Sequence, residues 1–167
     1  MSIFRMIKRE GNRGNTLQDR LTYIIRSTAV RPDYMRGIGV SEWEAYRQMM
    51  LVKRTFGQDY GKAYYHYALH PEYDDYDNLN DDKLFKIGIS IAELISCFYG
   101  HFQVVFAVHF DTEHHLHFIA NNIDYMTGKR FDLSPIIMIE LKQEINKVLE
   151  EAGVSPVLMN TNKNDGQ

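Results

Sequence analysis

Residues 108 to 122 read VHFDTEHHLHFIANN, which places His109, His114, His115 and His117, four of the seven histidines of the chain, close together beside Asp111 and Glu113. Neutral imidazoles are metal ligands, so the stretch calls for a test of metal chemistry. On a β-strand successive side chains alternate between faces, so His115 and His117 share one face while Leu116 and Phe118 take the other. His109 ends the preceding apolar run with the parity of Val105 and Ala107. If the two runs pair as a hairpin, it supplies a third nitrogen to the same point. Three protein ligands leave positions open for a substrate oxygen, and nitrogen donors suit Zn, Mn, Ni or Co better than Ca.

Asp111, two residues past His109 on the same face, is placed to orient a histidine or take a proton. Asn121 keeps the parity of the pair and offers an amide to a phosphate oxygen or a ligand. His114, His66 and Glu72 are secondary candidates. A packed or surface role explains any one of these residues, but His-x-His on one face preceded by His-x-Asp is not explained by packing alone.

The elements that must hold these residues follow from periodicity. SIFRMIK alternates as a short first strand, and Thr16 caps a helix over LQDRLTYIIRS with Leu17, Leu21, Ile24 and Ile25 on one stripe. TAVRPDYMRGIGV, with a proline and two glycines, reads as a loop. Ser41 and Glu44 form a capping box ahead of a second helix that buries Met49, Val52 and Phe56. GKAYYHYALH reads as a strand ended by Pro71, followed by an acidic surface loop. DKLFKIGISIAELISCFYG then reads as the main packed helix, ended by Gly100. FQVVFAVHF is apolar on both parities and pairs with HHLHFIANNID, Ser134 and Pro135 start a last helix closed by Gly153, and SPVLMN adds an edge strand. This order predicts an α+β fold, a central antiparallel sheet with helices packed on one side of it.

The 167 residues, 44% apolar and 13% aromatic, fit one domain over residues 1–160 with a disordered tail at 161–167. The single cysteine, Cys97, excludes a disulfide framework and reads as a buried thiol. There is no secretory signal and no apolar run of membrane-spanning length, so no membrane insertion is expected and the cytoplasm is the expected compartment. The net charge of −3 hides an asymmetry: residues 1 to 62 carry 12 Lys/Arg against 6 Asp/Glu, and the remainder 7 against 16. A basic face for nucleic acid is therefore open to this chain.

The histidine stretch resembles the signature of relaxases, the mobilisation nucleases of conjugative and mobilisable elements, in particular the MOBP-like group: His-x-Asp-x-x-His-x-His-x-His-x-x-x-Asn on two adjoining strands. His109 and Asp111 match its opening, His115 and His117 its closing His-x-His, and Asn121 its asparagine. The stretch between is one position shorter, with His114 directly before His115. LTYII resembles the context of the family's nucleophilic tyrosine and puts Tyr23 in that place. GKAYYHYALHPEYD, GHFQVVFAVHFD and DYMTGKRFDLS are similar to further family segments, so the likeness spans residues 1 to about 155.

The resemblance implies a histidine-hydrophobe-histidine (HUH) endonuclease fold with a five-stranded antiparallel sheet. It implies nicking of one DNA strand at a transfer origin, with Tyr23 becoming linked to the 5′ phosphate and a divalent metal ion (Mn, Mg, Zn or Ni) held by His109, His115 and His117. Single-stranded origin DNA is the implied partner, with accessory proteins of a transfer complex. Arg5, Lys8, Arg9, Arg13, Arg26, Arg31 and Arg36, on either side of Tyr23, are the expected phosphate contacts. Two rival readings share the fold: a rolling-circle replication initiator, for which Tyr125 after the histidines would be the nucleophile, and a non-cleaving DNA-binding accessory protein. A metal-storing or metal-sensing module is a third.

Overall fold

A computed structural model of the chain describes residues 1–8, 16–72, 79–111 and 113–159. Its elements are β1 (Ile3–Met6), α1 (Leu17–Arg26), β2 (Val30–Ile38), α2 (Ala45–Thr55), β3 (Tyr64–His70), α3 (Asp81–Ser96), β4 (Val104–His109), β5 (His115–Asn121) and α4 (Pro135–Glu151). The strands form one antiparallel five-stranded sheet in the order β1-β3-β5-β4-β2. The expected α+β class and central sheet are what the chain adopts, and the residues expected as a tail lie outside the described ones.

Every residue of β4 and β5 is buried, as strands apolar on both parities require. One face, with Val104, Phe106, Leu116 and Phe118, packs under α3 and α4. The other, with Val105, Ala107 and Ile119, packs under α1 and α2. Helices therefore cover both faces rather than one. An amphipathic α1 with no apolar face to cover would leave its Leu17, Leu21 and Ile24 in water.

Thr16 starts α1 as expected: its Oγ1 accepts from the Asp19 backbone N–H at 3.2 Å, and the Asp19 carboxylate accepts from the Thr16 N–H at 3.3 Å. The capping box expected at Ser41 does not form. Glu44 is the N-cap of α2 and makes no side-chain cap bond, while the Ser41 N–H donates to Gln48 Oε1. Lys53 takes the inward place on α2 expected of Phe56, which is exposed.

The stretch read as a loop after α1 is mostly β2, an edge strand on β4. Pro32 has no N–H to give a neighbour, and an edge tolerates that. α3 ends at Ser96, before Gly100, and the following Cys97 is exposed rather than buried because it caps the helix at the surface. The expected last strand is reduced to a single parallel bridge, Ser2 to Val157.

Candidate metal and nuclease site

The hairpin register sets the site. His109 pairs with His115, and His117 lies between Ala107 of β4 and Ala68 of β3, two small residues that leave room beside its ring. Because all three histidines share the α1-facing side, one ring nitrogen from each lies within 4.8 Å of the others.

Hydrogen bonds fix which nitrogen each ring can offer. His109 Nε2 is 3.2 Å from the Ile24 carbonyl oxygen. A carbonyl only accepts, so Nε2 carries the hydrogen and Nδ1 keeps its lone pair. That Nδ1 is buried and has no hydrogen-bond partner among the described residues. His115 Nδ1 donates to the Glu113 carbonyl at 2.7 Å, which frees Nε2, 3.0 Å from Nε2 of His117. His117 Nδ1 in turn lies 2.8 Å from Nε2 of His66. His109 and His115 thus each have an outer partner and an inward lone pair, while His117 Nε2 donates to His115 and would offer its own lone pair to a cation once its proton sits on Nδ1, toward His66. Outer hydrogen bonds of this kind orient metal ligands. The donor set fits a divalent cation of the nitrogen-preferring kind.

Burial, ahead of the charges of His109 and His66, holds His117 far below the usual histidine range. Burial also lowers His109, with His115 adding to it. Neutral rings are what a cation needs as ligands.

Tyr23 projects from α1 over the triad. Its ring centroid is 5.4 Å from that of His109 and 5.6 Å from that of His117, and 38% of the residue stays exposed. The Ile24 carbonyl that holds His109 is the next residue along the same helix, so one helical turn places both the phenol and the His109 ring. Arg20, one turn earlier, puts its guanidinium 5.1 Å over the Tyr23 ring. Asp111 is half exposed, with Oδ1 3.4 Å from His115 Nδ1. Tyr125, by contrast, stands against His101.

Other expected residues lie elsewhere. Asn121 is 1% exposed, and its amide bonds to Lys53 Nζ at 2.7 Å and Gln103 Oε1 at 3.0 Å, so it anchors a buried polar cluster and has no face for a phosphate. Arg31 and Arg36 stack on Phe110 and Phe85 on the α3 side of the sheet. A bulge between Val30 and Met35 sets that parity and turns both away from the triad. His114 also faces α3, with Nδ1 3.3 Å from Asp81 Oδ1. Glu72 pairs with the amino group of Met1.

Arg5 is exposed on β1, in the register row that runs through Ala68 to His117. Lys8 is exposed just past β1, and Arg26 lies in the last turn of α1 beside Trp43. Arg9 and Arg13 lie outside the described residues.

Two site neighbours were not legible as such. His70 stacks on His115 with centroids 4.8 Å apart and planes 13° from parallel. His66 and His70 are four apart on β3 and so share a face, a signal that means something only once β3 is known to neighbour β5. Lys53 was signalled only by a charge on an otherwise apolar helical stripe.

Residues 23–154 match the family described as Relaxase: MobA/VirD2-like, nuclease domain. The chain belongs to this family, and a DNA-nicking nuclease domain is the general function that comes with it. No curated protein and no solved structure matches the chain significantly. No helix among the described residues is long and apolar enough to cross a membrane.

Proposed function

We propose that this chain is a strand-specific DNA relaxase that cuts by transesterification. Tyr23 is the nucleophile, and His109 Nδ1, His115 Nε2 and His117 Nε2 hold a divalent cation. The observation that carries this reading is the Tyr23 ring packed directly on His109 and His117 while remaining open to solvent.

The Tyr23 oxygen attacks phosphorus, the bond from phosphorus to the 3′ oxygen breaks, and the 5′ phosphate is left on the phenol. Because that ester keeps the energy of the cleaved bond, the freed 3′ hydroxyl can reverse the reaction and reseal the strand. Asp111, a carboxylate drawn against His115, steadies that ring and accepts the phenol proton. A cation such as Mn, Mg, Zn or Ni bound by the triad would polarise the scissile phosphate and offset the charge gathered in the transition state.

The substrate of this reading is single-stranded origin DNA of a plasmid or other mobile element, processed in the cytoplasm with accessory proteins of the transfer complex. Arg5, Lys8 and Arg26 are its phosphate contacts. The test is nicking of supercoiled plasmids carrying candidate origins, with Mn or Mg. Open circles formed by the natural chain and not by Tyr23→Phe support relaxation. Plasmids left closed at every metal concentration favour a non-cleaving DNA-binding role.

A further inference from the structure

Beside the triad, on the same face of the sheet, the start of β3 and the end of β1 open a cavity of about 630 Å³ between them and α2. Its floor includes Tyr64 and His66, one wall is Met50, and the rim carries Lys8, Lys62 and Tyr46. His66 belongs to both places: it lines this cavity, and its Nε2 is 2.8 Å from His117 Nδ1. The space therefore opens one side chain away from the proposed metal ligands.

Three features say what would fill it. No carboxylate is among the described lining residues, so the two ammonium groups meet no acidic partner among them. They also feel each other: burial lowers the Lys62 pKa, and the charge of Lys8 lowers it further. The Lys62 backbone is pinned, its carbonyl accepting from Asn122 Nδ2 at 2.6 Å and from Arg130 Nη1 at 2.8 Å. Two like charges held at a rim above an apolar and aromatic floor suit a ligand with an anionic and a flat apolar part. The volume lies in the ordinary range of small-molecule pockets, roughly 300–1,000 Å³.

We propose that this cavity holds an unpaired nucleotide of the DNA strand flanking the triad, its base between Tyr46, Met50 and Tyr64 and its phosphate on Lys8 and Lys62. Stacking on aromatic side chains beside a basic groove is how single strands are held without pairing. A base paired in a duplex cannot enter, so the cavity also selects for melted DNA. This inference rests on the DNA reading above.

The test is fluorescence anisotropy of the full chain with a short labelled oligodeoxythymidine over a range of salt concentrations. In Lys8→Gln/Lys62→Gln the slope of log affinity against log salt should fall by about 1.4, two contacts at roughly 0.7 each for single strands. Met50→Trp, which fills the cavity from one wall and changes no charge, should weaken binding about tenfold with the slope unchanged. If the natural chain binds the strand and both variants bind it with the same affinity and slope, the cavity proposal is overturned while the DNA reading stands. If the natural chain binds no single strand at any salt, the DNA reading falls and takes the cavity with it.

Discussion

The ring of Tyr23 on α1 meets that of His117 on β5 nearly edge-on, at 82° with centroids 5.6 Å apart. Residues 94 positions apart in the chain are joined there by a helix that also fastens His109 through the Ile24 carbonyl. The positions of Tyr23 and of the histidine rings are thus coupled through one helix, and several outcomes follow.

His66 is the only side chain among the described residues seen bonded to the outer nitrogen of His117. Loss of such an outer partner typically costs about 10–100-fold in metal affinity. His66→Leu should weaken Mn or Zn binding by that factor in calorimetry. His66→Gln, which restores an acceptor oxygen, should recover most of it. Equal affinities in all three proteins would show that His66 does not orient His117.

Metal should also stabilise the fold through the triad. A cation bound at about 100 times its Kd adds about 2.7 kcal/mol to the folded state. Titrating Mn or Zn should raise Tm in the natural chain, and chelation should reverse it. His109→Ala, which removes the buried Nδ1, should abolish most of that rise.

Lys53 is 2% exposed and, among the described residues, its ammonium bonds to neutral amides alone, Asn121 Oδ1 and Asn122 Oδ1, each at 2.7 Å. Burial, with the charge of Arg130 behind it, lowers its pKa to about 8. The folded state sheds this proton before the unfolded one, so the unfolded state binds more protons between about pH 8 and 10.5, and stability rises with pH there. Burial raises the Tyr67 phenol pKa, which opposes this once free tyrosines ionise near pH 10. Urea midpoints should therefore climb from about pH 8 to 9.5 and then fall. In Lys53→Met the climb should shrink to the smaller part that Lys62 supplies, and unpaired amide oxygens should cost about 1–3 kcal/mol.

Gly88 lets α3 sit close on the sheet. A Cβ there would lie 2.4 Å from Phe106 Cε2 and 3.2 Å from Leu116 Cδ2. Gly88→Ala should destabilise the fold by about 1–3 kcal/mol in urea melts, despite alanine's better helix propensity. A more stable variant would mean that the Phe106 ring moves aside at no cost.

The triad was legible because strand alternation is a local rule: His115 and His117 declare their face from spacing, and a short hairpin brings His109 opposite. The helix that carries Tyr23 was legible from its Thr16 cap and its apolar stripe. What failed depended on distant pairing. β2 hid behind Pro32 and its glycines because an edge strand needs only one bonded side. Its bulge then put Arg31 and Arg36 on the α3 side of the sheet. Asn121 has the right parity, but Lys53 reaches it from α2, a contact spanning 68 positions that no local pattern announces. His70 joined the site only through β3 lying next to β5.

The central claim is that the Tyr23 oxygen takes the phosphate. Incubating the chain with single-stranded origin DNA and Mn, digesting both polymers and sequencing the peptides by mass spectrometry tests it directly. A nucleotide phosphate should be found on the peptide carrying Tyr23. A cleaved strand with the adduct on Tyr125, or with no protein adduct at all, would contradict it.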